Sequence, residues 1–103
     1  MPEDPKLESS LVALQERMRA TLAKNILLAR RAKYLNQGEL AEKAGHSRAT
    51  LAQIENGKAD PALSTIVDLC NALNLSPFLL LLGEADFKLL VEMSEEMRIH
   101  PGT

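Results

Sequence analysis

Aromatic residues make up only 3% of this 103-residue chain: one tyrosine, two phenylalanines and no tryptophan. A β-sandwich or barrel draws heavily on aromatic side chains, so a core left to Leu, Ile, Val and Ala points to helices. Cys70 is the single cysteine, so no internal disulfide can form, and no metal-ligand spacing surrounds it. No apolar run approaches the roughly 20 residues of a membrane-spanning helix. The opening MPEDPKLESS is acidic and prolyl, unlike a secretory signal, and a cytoplasmic location is expected. Catalytic equipment is missing as well. There is no phosphate-binding loop, metal cluster or cofactor signature, and His46 and His100 have no recognisable nucleophile or carboxylate partner. Neither an enzyme nor a cofactor is expected.

What is present suits one small globular domain. Hydrophobic residues make up 46% of the chain, and its length supports a single core without staples. The net charge of -2 conceals a strong asymmetry. Between Lys24 and Lys58, seven Lys/Arg face three Glu; from residue 59 to the end, two basic residues face seven acidic ones. Local charge sets the field that a phosphate backbone meets. Any helical surface also carries charge clusters, so the asymmetry alone leaves both readings open.

Helical periodicity runs through Leu11, Leu14, Met18, Leu22, Ile26 and Ala29, in steps of three or four. No proline or glycine interrupts the stretch from Leu7 to Gln37. One long helix over about residues 10–34 is predicted, capped by Ser10. Asn36 followed three residues later by Glu39 forms a capping-box pattern and predicts a second helix over 37–44, ended by Gly45. Ser47 caps a third over 48–55, after which NGKADP supplies turn signals. A fourth helix is expected over 63–73, ended by Asn74, and a short fifth over 77–82, started by Ser76-Pro77. A last amphipathic segment, 85–98, places Phe87, Leu90, Met93 and Met97 on one stripe.

The third helix has an unusual face. Leu51 and Ile54 lie on one side; Ala49, Ala52 and Gln53 lie opposite, with Arg48 flanking. Small residues let a helix approach base edges in a major groove about 12 Å wide. Glutamine can pair with adenine, arginine with guanine, and an alanine can touch a thymine methyl. On this pattern alone, the two alanines could equally pack against another helix, leaving Gln53 and Arg48 merely solvated.

The stretches LAKNILLARR, LNQGELAEKAG, SRATLAQIENGKADP and STIVDLCNALNLS, in that order and spacing, resemble the helix-turn-helix domain shared by lambdoid phage repressors, Cro proteins and XRE-type regulators. The resemblance covers about Leu22 to Leu82. It implies an all-α, lambda-repressor-like DNA-binding domain of five helices, here with an extended first helix and an extra C-terminal helix. The expected division is a tail and helix extension over 1–20, the DNA-binding domain over 21–83, and a C-terminal helix and tail over 84–103. The resemblance implies base reading by Arg48, Ala49 and Gln53. It implies phosphate contacts by Gln37, Asn56 and Lys58, with Lys43 a weaker candidate. It also implies a structural ion pair between Arg30 and Glu55. Departures from the pattern are His46 at a usually apolar turn position, Gly38 within the second helix, and Ala62 where a serine cap is frequent.

Leu27 and Leu28 stand where the family is usually polar, and Phe78 and Leu79 where it is often acidic. A short helix reading PFLLLL cannot hide every apolar side chain against one neighbour. Either the chain's own terminal helices cover this patch, or Leu27, Leu28, Phe78 and Leu79 form the interface of a two-fold homodimer. The expected partner is a double-stranded operator, roughly palindromic if the protein is a dimer. The leading functional expectation is therefore a sequence-specific transcriptional regulator, acting as a repressor. The alternative is an antitoxin that binds operator DNA and neutralises a toxin through EADFKLLVEMSEEMRIH.

Overall fold

A computed structural model describes residues 5–83, 88, 89 and 91–93. Among these the chain is all-helical. The elements are α1 (Pro5–Ala32), α2 (Gln37–Ala44), α3 (Arg48–Glu55), α4 (Leu63–Leu73) and a 3-10 turn (Pro77–Leu81). The expected bounds of α2, α3 and α4 coincide with those observed. Helix α1 starts five residues earlier than expected and ends two residues sooner. The fifth element is 3-10 rather than α, as is common for a helical run of only five residues opened by proline. Ser76 occupies its N-cap position, but its side chain makes no cap hydrogen bond. Of the segment expected as a helix over 85–98, residues 88, 89 and 91–93 are helical, and the rest lies outside the described residues.

Local chemistry sets the helix ends. The Asn36 side chain accepts from the Glu39 amide at 2.8 Å, and the Glu39 carboxylate accepts from the Asn36 amide at 3.0 Å, completing a capping box. Gly45 takes the left-handed conformation, φ 75°, and the amide of His46 returns to the carbonyl of Ala41 at 2.9 Å. Ser47 Oγ then accepts from the Thr50 amide at 3.1 Å and starts α3. Helix α4 begins at Ala62 with no side-chain cap and ends at Asn74, whose φ of 56° is left-handed. After these turns, α3 and the 3-10 turn pack against α1, while α2 packs against α3 and α4.

The core is aliphatic. Ile26, Leu40, Leu51, Leu69, Leu73 and Leu80 are all at most 1% exposed, joined by Leu22, Ala29, Ala41, Ile54 and Cys70. Each large side chain so buried contributes roughly 1.5–3 kcal/mol. Truncating one of them, as in Leu51→Ala, costs about 2–5 kcal/mol because a cavity remains. Val91 packs against this core from the C-terminal segment.

The apolar stripe of α1 divides in two. Leu22, Ile26 and Ala29 are buried, whereas Leu11, Leu14 and Met18 are 39%, 44% and 46% exposed. Residues 8–18 are exposed throughout, so the first half of α1 projects beyond the core. Asn25, on the buried half, is fully enclosed. Its Nδ2 donates to the carbonyls of Leu80 at 2.7 Å and Leu82 at 2.9 Å, fixing the 3-10 turn to α1. The sequence offered one signal for this latch: a polar residue three positions after Leu22 and four before Ala29, on the inward stripe.

Candidate nucleic-acid interface

Helix α3 is fixed from behind. Leu51 is fully buried and Ile54 is 3% exposed, both within the common core. On the outer flank Arg48, Ala49 and Gln53 are all exposed, while Ala52 is half-buried. Ala49 and Gln53 lie four residues apart, hence nearly in line along the helix. No other part of the described chain covers them.

The end of α3 is held by a compact polar network. Arg30, from α1, donates through Nε to Glu55 Oε2 at 2.7 Å and through Nη2 to Oε1 at 3.0 Å. The two side chains are 11% and 5% exposed, so this pair is largely desolvated. Arg30 also donates to the carbonyl of Leu35 at 2.8 Å, tying down the loop between α1 and α2. Gln37 completes the network: its Nε2 donates to Glu55 Oε1 at 3.1 Å. The start of α2 and the end of α3 are thus stitched together through one carboxylate. Gln37, Arg30 and Glu55 form one cluster rather than separate features. The family resemblance implied the pairing of Arg30 with Glu55 but gave no signal for Gln37 as their third member.

Asn56 follows α3 as its C-cap and is exposed, as is Lys58. The Asn56 side chain accepts from the Lys58 amide at 3.0 Å, and Gly57 between them has φ 76°. Only glycine adopts that conformation without steric cost, which lets the chain fold back immediately after α3. Lys43 is exposed on α2.

His46 corrects an expectation. The sequence suggested no carboxylate partner for it, yet its Nε2 lies 2.8 Å from Asp68 Oδ2 on α4. The 22 residues separating the two in sequence hid the pair. Tyr34, just before α2, has φ 57° and is 87% exposed. Its amide donates to Arg31 and that of Leu35 to Arg30, the double return of a helix end for which glycine is usual. A tyrosine carries no sequence signal for a left-handed helix end.

Two helices joined by a three-residue turn, one anchored by aliphatics and bare on its other flank, make a helix-turn-helix. The family model described as Helix-turn-helix matches residues 26–80. The chain belongs to the XRE-type helix-turn-helix family of transcriptional regulators. An HTH-type transcriptional regulator of Bacillus subtilis (strain 168), YqaE, is 28% identical over 81 residues, spanning 79% of this regulator and 70% of that one. Two crystal structures are similar to it. The hypothetical transcription factor NHTF from Neisseria has a TM-score of 0.67 at 33% identity, over 74% of this chain and 87% of that one. The restriction-modification controller protein C.AhdI from Aeromonas hydrophila has a TM-score of 0.59 at 29% identity, over 60% and 94% respectively. The regulator is accordingly a DNA-binding protein, and its relatives are transcription regulators rather than enzymes. Among the described residues, no helix is long and apolar enough to cross a membrane, and no group of three His, Cys, Asp or Glu could hold a metal ion.

Four leucine and phenylalanine positions bear on assembly. Phe78 is 82% exposed and Leu27 is half-buried. Leu28 and Leu79 pack in part against the chain's own core. Leu81, 54% exposed, shares a shallow surface depression with Leu14 and Met18 of the projecting half of α1. The apolar surface of the 3-10 turn is therefore continuous with that of the α1 arm.

Proposed function

We propose that this regulator is a cytoplasmic homodimeric repressor that occupies a roughly palindromic operator. Arg48, Ala49 and Gln53 read bases in the major groove of each half-site. Gln37, Asn56 and Lys58 hold phosphates on either side. The observation that carries the reading is the two-faced α3: Leu51 and Ile54 sealed in the core, Arg48, Ala49 and Gln53 open to solvent. A helix fixed in this way presents its side chains without first having to be ordered. Gln37 keeps one amide hydrogen for a phosphate while the other engages Glu55. The similarity to a restriction-modification controller protein supports a regulatory role.

Assembly rests on the apolar surface formed by Leu27, Leu28, Phe78, Leu79 and the α1 arm. An isolated helical half-length with Leu11, Leu14 and Met18 in water gains little from helix propensity alone, and pairing with a second chain would cover it. A two-fold dimer places its reading helices ~34 Å apart, one turn of DNA. Sedimentation at micromolar concentration checks this: a strict monomer without DNA overturns the preformed dimer.

Selection of binding sites from random duplexes supplies the operator and tests the reading face. On the selected site, Gln53→Ala weakens binding by ~1–3 kcal/mol and relaxes preference at one base pair. Lys58→Ala weakens binding on all sequences and reduces the salt slope by about one ion. Parental binding by both variants overturns the assignment. The segment from which a toxin contact was expected lies mostly outside the described residues, and the homodimeric repressor is the reading retained.

A further inference from the structure

The loop after α3 is fastened to α1 by an ion pair and runs close to the helix beside it. Arg19 donates from Nε to Asp60 Oδ1 at 2.6 Å and from Nη2 to Oδ2 at 3.1 Å. Next to it, the Cα of Ala20 lies 4.0 Å from where a Cβ on Gly57 would stand. Between Gly57 and Asp60 lies Lys58, whose amide donates to Asn56 Oδ1. Residues 57–60 are thus docked on a single turn of α1, just where the helix leaves the core and its arm begins.

Folding gives little reason for this arrangement. The Asp60 side chain is 76% exposed and that of Arg19 is 28% exposed, and ion pairs so open to water contribute little to stability. DNA binding gives an apparent reason against it. A carboxylate two residues from Lys58 repels a polyanion. A bidentate guanidinium, however, fixes the position and orientation of its partner, which a single point charge does not. The pair also pulls the Asp60 carboxyl below its ordinary range, chiefly through the hydrogen bonds from Arg19.

We propose that Arg19 and Asp60 are positioning residues for DNA binding: their bidentate contact holds the 57–60 loop on α1 so that Asn56 and Lys58 meet a phosphate together. The proposal rests on Asn56 and Lys58 as phosphate contacts. It makes a negatively charged residue a contributor to binding a negatively charged ligand.

That paradox supplies the test. Affinities of the full chain are measured by fluorescence anisotropy on a duplex obtained by site selection, at fixed salt. If Asp60 acts only through its charge, Asp60→Ala tightens binding. If it acts by positioning, Asp60→Ala weakens binding by ~3–10-fold, a loss of the size that misplacing one charged phosphate contact brings. Arg19→Asp weakens it too, and the swapped double variant Arg19→Asp/Asp60→Arg restores it to within about two-fold, because the pair is rebuilt with net charge unchanged. Melting temperatures separate binding from folding; an exposed pair leaves them nearly unmoved. Unchanged or tighter binding by Asp60→Ala overturns the proposal, as does a double variant no better than its single parents. Lys58→Ala distinguishes the two levels. If it leaves affinity and salt slope unchanged, the phosphate assignment fails; if it weakens binding while Asp60→Ala does not, only the positioning role fails.

Discussion

Glu55→Ala removes the centre of the network that ends α3. The carboxylate accepts two hydrogen bonds from Arg30, at 2.7 and 3.0 Å, and one from Gln37 at 3.1 Å. Its loss leaves the Arg30 side chain, 11% exposed, with the Leu35 carbonyl at 2.8 Å as its remaining partner within the network. A cation abandoned in so little water costs ~3–5 kcal/mol, against at most ~1 for an exposed pair. A domain of this size has about 5–15 kcal/mol in total. At about 3 kcal/mol the melting temperature falls by roughly 12–24 °C, and part of the chain stays folded near room temperature. Urea unfolding followed by helical circular dichroism measures the change, and an unaltered slope confirms that the folded and unfolded states are the same pair. DNA affinity falls as well, since α3 loses the tie that fixes its C-terminal end. A double variant, Arg30→Met/Glu55→Leu, recovers most of the stability by replacing the pair with packed apolar groups. A Glu55→Ala cost below ~1 kcal/mol refutes the reasoning, since the network would then behave as a solvated surface pair.

Three other perturbations test single contacts and burial. Asn25→Asp sets a carboxyl group against two carbonyl oxygens that now receive hydrogen bonds at 2.7 and 2.9 Å; it costs ~3 kcal/mol or more and is worse than Asn25→Ala in the same urea assay. Tyr34→Gly relieves a left-handed backbone at φ 57° whose side chain is 87% exposed, and raises stability by ~0.5–1 kcal/mol after the extra freedom of the unfolded chain is counted. A fall in melting temperature contradicts it. Burial pushes the Cys70 thiol up, so its contribution to stability is whole below the unfolded thiol's pKa of about 8.5 and is lost as pH rises through the higher folded value. Thiol labelling at pH 8 then proceeds only as fast as the core opens; immediate labelling of the native protein refutes this.

The helices of the DNA-binding unit were legible because their signals are local. Asn36 with Glu39, Gly45, Ser47 and Asn74 each fix a boundary through atoms within a few residues, and the structure forms each of those turns. The fifth element was read as α because composition does not separate a short α-helix from a 3-10 turn; five residues give too few hydrogen bonds to favour one. What the periodicity of α1 could not show is where its apolar stripe stops being buried. Leu14 and Leu22 look alike in sequence, yet only Leu22 faces other helices of the fold.

The site divides along the same line. The wheel of α3 set Arg48, Ala49 and Gln53 away from Leu51 and Ile54 but left open whether another helix covers that flank; the structure exposes all three. The supports of that helix come from far along the chain: Arg30 and Gln37 reach Glu55 across 25 and 18 residues, Arg19 reaches Asp60 across 41, and Asp68 reaches His46 across 22. Arg30 and Arg19 come from α1, Gln37 from α2 and Asp68 from α4. The buried members cannot be changed singly without stranding a charge, whereas the exposed ones can. The proposed reading face can therefore be changed at little cost to the fold, while changes in the Arg30–Glu55–Gln37 cluster are expected to alter folding and DNA affinity together. Exchanging residues 48, 49 and 53 for those of a relative should move the preferred sequence with little loss of stability, which site selection and melting on the same variant would show. A large loss of stability from that exchange would mean that the outer flank supports the fold, contrary to its exposure.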